Sequence, residues 1–395
     1  MKKLLSILIV LVLCFGLVAC NKTENTTSAP PPSDSVAAAP SSSGAAAPSG
    51  KPQGYLDDDV DHYARDTYQL VYLTDEFNFL KQALLNGMIS CEKRFNVKMT
   101  CVDGEGSQDT YLTNLELIGT RGFDGAIVDC PPAIQDRGYE LLEESGVPYV
   151  GFFQTFLDDN NRTVCPNVQL DQYDSGARPM EWLIENYKEF MGDVDISKMG
   201  VINLGYSAAP DLFARAAGPE DLFNEYLSAG TYFWVDAASA GADFFSEEVG
   251  YNLTSATVSA NPQIEYWLVT APLEVYGPGA ARALEDLGKT TENALVCVMG
   301  QGANIADWDS MSEDTMSVNV ACLIIHDFNM TYPAVAGVVA LIDGRATKDT
   351  LWLEKTPPNY KHGNDYGVWE VPCDIVTRWT YKEYLAEVDA QIAGI

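Results

Sequence analysis

The stretch that decides the fold runs Phe123-Asp124-Gly125-Ala126-Ile127-Val128-Asp129-Cys130-Pro131-Pro132. Its apolar residues up to Val128 form a continuous run of strand length, which is typical of a strand buried on both faces. Two prolines follow Asp129 and prevent the ladder from continuing. The helical pattern of 134–145 and the apolar run 147–153 come next. A buried strand, a helix and a second buried strand in this order predict a parallel sheet with crossover helices.

The same alternation extends in both directions from this stretch. It predicts two similar lobes, each a parallel sheet flanked by helices, joined by a hinge of several strands. The predicted strands are 68–73, 97–102, 123–128, 147–153, 199–204, 232–235, 266–270, 294–299, 317–325 and 371–376. The predicted helices are one with the stripe Leu80, Leu84, Met88, Cys91, Phe95, and those at 111–118, 134–145, 178–190, 212–228, 240–253, 278–287 and 332–342.

The first twenty residues predict export. Lys2 and Lys3 precede an apolar run that is short for a membrane span and closes on Leu17-Val18-Ala19-Cys20. That ending resembles a lipobox, so residues 1–19 are a predicted signal peptide and Cys20 the predicted lipidation site. A plain secretory signal with an incidental cysteine is the alternative. Residues 20–54 are rich in Ser, Ala, Pro, Thr and Gly, which predicts a disordered tether that holds the protein at the membrane.

Composition restricts the partners. The chain carries 24 Lys and Arg against 56 Asp and Glu, a net charge of −32, which excludes nucleic acid because phosphate binding needs clustered basic residues. The roughly 330 residues beyond the tether suit two domains. The seven cysteines after Cys20 include no C-x-x-C pair and several lie in apolar runs, so buried free thiols are expected; a bridge between Cys91 and Cys101 stays open.

Polar and aromatic residues follow the predicted strands at the edge where open α/β sheets bind ligands. Aromatic rings, amides, carboxylates and one guanidinium suit a neutral polyhydroxylated ligand. Any one of these residues could instead be a turn residue, and Arg215 could pair with Asp211 on the surface. The predicted ligand-binding residues are Phe77, Asn78, Phe79, Asp129, Gln154, Arg215, Glu274 and Gln301.

Six motifs in order resemble the type I periplasmic binding proteins, the ribose- and galactose-binding solute receptors of ABC importers. The resemblance covers about Tyr68 to Thr377. Phe123–Pro131 is similar to the family's "DGIIV-x-P" strand and Gly146–Val150 to "G-I-P-V-V". Asp171–Gly176 resembles "D-x-x-x-x-G", Arg215–Gly218 "R-x-x-G-F", Glu274–Leu284 "D-x-x-A-x-G-A-x-x-A-L", and Val371–Thr377 "V-P-x-x-L-V-T".

Together with the predicted lipid anchor at Cys20, the resemblance implies a monomeric receptor held on the extracytoplasmic face of the cell membrane. It would capture a sugar, polyol or nucleoside, close over it, and present it to an ABC permease; Arg215 would contact the ligand. Departures from the motifs leave the particular sugar open, since Leu273-Glu274 replaces Asn-Asp and Gln301 replaces an aspartate. The expected lobes are 55–169 with 322–349 and 170–321 with 350–395, with crossings near Leu170, at 322–325 and at 350–365.

Two other functions are compatible with parts of the sequence. A ligand sensor for a membrane kinase would need the same cleft. A serine hydrolase would use Ser207, which follows a strand, with His326 or His362 as base, but the second glycine of the nucleophile elbow is Ala209.

No cofactor and no metal is predicted. Gly277-Pro278-Gly279 has Arg282 where a dinucleotide loop needs glycine. The alternating Asp57, Asp59 and Asp61 lack the central Gly and closing Glu of a calcium loop.

Overall fold

The computed structural model describes residues 60–160, 162–312, 315–357, 363–364 and 366–393, without the side chains of 79, 210, 211, 242, 243, 363 and 364. The predicted signal peptide, Cys20, the tether and His362 lie outside the described residues. All of the described residues belong to one compact unit.

The described strands are β1 (Tyr68–Thr74), β2 (Val97–Asp103), β3 (Gly125–Val128), β4 (Tyr149–Phe153), β5 (Arg162–Thr163), β6 (Asn167–Gln169), β7 (Met199–Gly205), β8 (Thr231–Asp236), β9 (Tyr266–Thr270), β10 (Ala294–Met299), β11 (Asn319–Ile324), β12 (Gly363–Asn364), β13 (Val368–Glu370) and β14 (Asp374–Thr377).

The described helices are α1 (Phe79–Ser90), α2 (Glu92–Phe95), α3 (Gln108–Ile118), α4 (Gln135–Ser145), α5 (Gln172–Met191), α6 (Pro210–Tyr226), α7 (Glu247–Ala260), α8 (Tyr276–Asp286), α9 (Gly302–Ser310), α10 (Asp327–Ile342) and α11 (Tyr381–Ala393). Sequence analysis missed α9 and α11, and it merged α1 with α2, which are separated at Cys91.

Two six-stranded sheets form the core of two lobes. Their strand orders are β13-β6-β4-β3-β1-β2 and β14-β11-β10-β9-β7-β8, so β1 and β7, β3 and β9, and β4 and β10 hold the same positions. All pairs are parallel except β14, which is antiparallel to β11. The predicted fold class, two α/β lobes of mostly parallel sheets flanked by helices, is confirmed.

Alternate residues of the central strands pack on opposite faces of each sheet. In β1, Leu70 and Tyr72 belong to one apolar cluster and Val71 and Leu73 to another, and all four are buried. Burial on both faces explains why the sequence shows continuous apolar runs rather than alternation.

The chain crosses between the sheets three times: from β6 to α5, from β11 to α10, and from β13 to β14. The first crossing lies at 170–171 and the second at 325–326. The third lies at 371–373 rather than at 350–365, because the three residues of β13 extend the first sheet by pairing with β6. Accordingly 368–370 belong to the first sheet and 319–324 to the second, while 363–364 pair with β5 in a separate two-stranded sheet. So short a strand carries no period that a sequence could reveal.

The seven described cysteines are free and six of them are buried, so the bridge between Cys91 and Cys101 is absent. Within the described chain, no helix has both the length and the apolar character to cross a membrane. No group of three or more His, Cys, Asp or Glu among those residues is arranged to hold a metal ion.

Candidate functional site

The three crossings fix how the two sheets face each other. β6 and β13 leave the first sheet at its carboxyl edge, and β11 leaves the second sheet at its carboxyl edge. The antiparallel β14 begins at that same edge of the second sheet. Since each crossing is only a few residues long, the two carboxyl edges lie opposite each other, with the crossings at one end of a cleft. Ligands of open α/β sheets bind at this edge, where the strand order reverses.

In the first lobe, a buried ion pair spans the point of strand reversal between β1 and β3. Lys81, in the first turn of α1, pairs through Nζ with Oδ2 of Asp129, which directly follows β3. Their side chains are 7% and 1% exposed. Asp75 Oδ1 lies 3.9 Å from the same ammonium. Asp129 was a predicted site residue, and the structure places it in this crevice.

Sequence analysis missed Lys81. The available signal was its spacing, because Lys81, Leu84 and Met88 share one face of α1 and both apolar residues are buried. A charge on the apolar face of a helix is unusual enough to mark a candidate site.

The end of β4 completes this side of the crevice. Phe153 has a φ of 66°, a left-handed conformation that costs energy in a residue other than glycine and that clusters at functional sites. Its ring centroid lies 4.6 Å from Lys81 Nζ. The predicted site residue Gln154 comes next, and its Oε1 is buried without a hydrogen-bond partner among the described residues. A buried carbonyl oxygen of this kind is a ready acceptor for a ligand hydroxyl.

The loop after β3 is held rigidly. Tyr111 donates its hydroxyl to the Asp129 carbonyl at 3.0 Å, and burial raises the pKa of Tyr111 well above its usual range. Gln135 donates to the carbonyls of Cys130 and Thr155 at 3.2 and 2.9 Å and accepts from the Leu157 amide at 3.1 Å. Asp129 is therefore presented by a fixed backbone.

The predicted residues after β1 lie at the rim. Phe77 is 36% exposed, and its amide donates to Asp103 Oδ1 at 3.1 Å. Asn78 is exposed and caps α1, because its Oδ1 accepts from the Lys81 amide at 3.1 Å. The side chain of Phe79 lies outside what the structure describes.

The second lobe repeats the first-lobe arrangement with Arg215. This residue, in α6 after β7, donates through Nη1 to the Pro272 carbonyl after β9 at 3.1 Å and through Nε to Gln172 Oε1 at 2.7 Å. A cation from the helix after the first strand thus reaches the segment after the third strand in both lobes. The side chain of Asp211, the alternative partner, lies outside the described set.

Glu274 and Gln301 occupy the middle of the second edge and make structural contacts there. Glu274 Oε2 accepts from the Gly302 amide at 2.7 Å, at the N-terminus of α9, where a carboxylate is favoured. Gln301 donates to the Ile325 carbonyl at 2.8 Å and accepts from the Ile325 amide at 3.1 Å. These bonds tie the end of β10 to the second crossing. Ligand contact by either residue stays a prediction.

Aromatic residues at the second edge were also missed. The Tyr206 ring stacks on Phe244, with 4.1 Å between centroids and 17° between planes. Tyr276 donates its hydroxyl to the Phe244 carbonyl at 2.8 Å, which fixes that segment. The signal was their sequence position, since Tyr206 directly follows β7 and Phe244 lies in the segment after β8.

Ser207 and His326 do not meet. Ser207 donates its hydroxyl to Asp236 Oδ2 at 2.5 Å and its amide to Oδ1 at 3.1 Å. His326 follows β11, which β9 and β10 separate from β7, so about 14 Å lies between the two strands. Its Nδ1 accepts from the Phe328 amide at 3.2 Å. The described residues therefore hold no serine–histidine pair at Ser207.

No protein-family model matches the chain, and no curated protein sequence matches it significantly. Solved structures do match. A sugar-binding protein of a sugar ABC transporter from Bacillus halodurans aligns with a TM-score of 0.60 and 14% identity, over 81% of this chain and 100% of that one.

Two further structures hold bound sugars. The arabinose-transporter binding protein from Shewanella sp. ANA-3, with L-arabinofuranose, gives a TM-score of 0.56 and 14% identity over 82% and 97% of the two chains. A solute-binding protein from Actinobacillus succinogenes 130z, with D-allose, aligns with a TM-score of 0.56 and 17% identity, over 80% of this chain and 100% of that one. The fold of this chain is the type I periplasmic binding protein fold.

Proposed function

We propose that this protein is an extracytoplasmic solute-binding lipoprotein that captures a small polar ligand, a sugar in the first place, and delivers it to an ABC importer. The observation that carries the proposal is that both lobes place a charged side chain where the strand order reverses. These are Lys81 with Asp129 in one lobe and Arg215 in the other, on edges that face each other. The structural neighbours that transport sugars support the same conclusion.

The chemistry of the crevice suits hydroxyl groups. Asp129 offers carboxylate oxygens, Gln154 offers a buried carbonyl oxygen, and Lys81 and Arg215 are donors. A hydrogen bond between a charged group and a neutral hydroxyl is stronger than one between two neutral groups, and a low local dielectric strengthens it further. The rings of Phe77 and Phe153 provide apolar surface for the C–H faces of a sugar.

Capture follows from contacts that both lobes make at once. A ligand that touches Asp129 on one side and Arg215 on the other binds the closed arrangement better than the open one, so it shifts the population toward closure. No bond in the ligand is broken in this cycle. The proposal includes Cys20 as the lipid-bearing residue, a monomeric receptor and a membrane permease as the partner that accepts the ligand.

A thermal-shift screen of monosaccharides, polyols and nucleosides tests ligand binding. A ligand at a hundredfold excess over its Kd should stabilise the folded protein by about 2.7 kcal/mol. Asp129→Asn should abolish the shift given by the best sugar. Trp379→Ala, which changes a side chain that is 56% exposed and lies after β14, is the matched control and should keep it. Absence of a shift with every compound would contradict the proposal.

The anchor is tested separately. Cys20→Ser should move the protein from the membrane fraction to the soluble extracytoplasmic fraction while ligand affinity stays unchanged. A variant that remains in the membrane fraction would show that Cys20 is not the anchor.

A further inference from the structure

An exposed aromatic pair lies at the carboxyl edge of the second sheet, at its outer strand β8. Phe213 of α6 and Trp234 of β8 meet edge to face, with 5.9 Å between ring centroids and 89° between planes. They are 54% and 36% exposed. Contiguous exposed apolar surface is a feature of ligand-binding surfaces.

The Trp234 ring leans toward the carboxyl edge of the second sheet. The Cα of Trp234 pairs with Asn203 in β7, yet its ring lies over Gly205, two residues nearer the carboxyl edge. A Cβ on Gly205 would lie 1.9 Å from Trp234 Cη2, so the glycine is what makes room for the ring. Phe213 lies in the first turn of α6, which begins at the same edge.

Polar groups beside the rings suit hydroxyls. Ser207 and Asp236 follow β7 and β8 and are hydrogen-bonded to each other at this edge. Burial raises the pKa of Asp236, but hydrogen bonds from Ser207 and the Ala238 amide outweigh burial and leave that pKa below its usual value. Asp236 is therefore a carboxylate at neutral pH, an acceptor two residues after Trp234 at the end of β8.

The spacing relates the pair to the proposed ligand site. Ligands sit at the reversal between β7 and β9, and β8 is the next strand beyond β7. One and a half strand spacings, about 7 Å, separate the reversal from β8. That distance is comparable to the width of one sugar ring.

We propose that Phe213 and Trp234, with Asp236 and Ser207, form a second sugar subsite, so that the preferred ligand contains at least two linked sugar units. The inference rests on the proposed sugar-binding function. The first unit lies near Lys81 and Arg215, where the strand order of each sheet reverses, and the second unit stacks on the aromatic pair.

Calorimetric titration with matched sugars tests the inference. The probes are D-glucose against cellobiose and maltose, D-galactose against β-1,4-galactobiose, and L-arabinose against α-1,5-arabinobiose. In at least one set the disaccharide should bind about tenfold more tightly than its monosaccharide. A monosaccharide that binds as tightly as its disaccharides in every set would overturn the second subsite and leave the proposed function standing. No binding of any of these sugars would overturn the second sugar subsite, and the screen of polyols and nucleosides would then decide the proposed function.

Variants then localise the second unit. Phe213→Ala should raise the Kd of the disaccharide about three- to tenfold and leave that of the monosaccharide within about twofold. Phe213→Leu keeps apolar volume but not the ring, and should weaken the disaccharide similarly. Trp379→Ala, an equally exposed ring elsewhere, should change neither value. The assignment would be overturned if Phe213→Ala raised the Kd of both sugars equally or changed neither Kd.

Discussion

The ion pair of Lys81 and Asp129 lies almost wholly out of water, where transferring two charges is costly. Replacing such a pair by apolar side chains is often neutral or stabilising. A role in ligand binding, as proposed above, would account for its presence at the strand reversal.

Lys81→Met should destabilise the protein by about 3 to 5 kcal/mol, because Asp129 keeps its buried charge and loses its ammonium partner. Calorimetric melting measures this as a drop of several degrees in Tm. The double variant Lys81→Met with Asp129→Leu should recover most of the Tm while sugar binding stays lost. Recovery of binding with stability would contradict a ligand role for the pair.

His326 couples the second crossing to pH. Burial lowers the pKa of His326 below the 6.5 of a free side chain, although the nearby Asp327 and Asp389 act in the opposite direction. Between these two pKa values the unfolded chain binds a proton that the folded chain does not. The stability from this group is therefore complete above pH 6.5 and is lost as pH falls toward the folded-state pKa.

His326→Asn should reduce the change in Tm between pH 7.5 and pH 5.5. Asparagine can still accept the Phe328 amide at the N-cap of α10, and it does not titrate. The variant is compared with wild type because Asp327 also titrates. Burial raises the pKa of Asp327, so its contribution to stability falls as pH rises, opposite to that of His326. An unchanged pH dependence would contradict the coupling.

At the scale of elements, α5 and α6 pack closely because Gly176 has no side chain. A Cβ at that position would lie 1.7 Å from the Arg215 carbonyl oxygen. The contact places α6, and with it the Arg215 side chain, against the start of α5 at the first crossing.

Gly176→Ala should destabilise the protein by roughly 1 to 3 kcal/mol, despite the better helix propensity of alanine, because the helices must move apart. It should also weaken ligand binding by displacing Arg215. Glu185→Ala, at an exposed position of the same helix, is the control and should change the Tm little. A Gly176→Ala variant with wild-type Tm and affinity would show that the two helices adjust freely.

The crossings themselves are held by two kinds of contact. Leu170, Met299, Leu323 and Cys373 form one buried apolar cluster drawn from the first and third crossings and from the ends of β10 and β11. Gln301 pins the second crossing through Ile325. Contacts at one end of the cleft leave its other end free to open and close.

For the whole molecule, a bound sugar should therefore make the protein more compact. Small-angle X-ray scattering of wild type should show a smaller radius of gyration with the best sugar than without it. Lys81→Met/Asp129→Leu, mixed with the same sugar, should show no change. An unchanged radius for wild type at saturating sugar would mean that binding does not close the lobes.

The sequence by itself determined the two-lobed α/β fold, because strands buried on both faces leave long apolar runs and helices leave a 3.6-residue period. The residues after those strands followed from the same pattern, so Asp129, Gln154 and Arg215 could be named as candidates. These features depend only on residues that are close together in the sequence.

Only the tertiary structure decided which of these residues meet. Lys81 pairs with a residue 48 positions away, and Trp234 lies over Gly205 from a neighbouring strand. The third crossing depends on β13 pairing with β6 some 200 residues earlier in the chain. Contacts between distant segments are fixed by strand order and packing, which no local period of the sequence encodes.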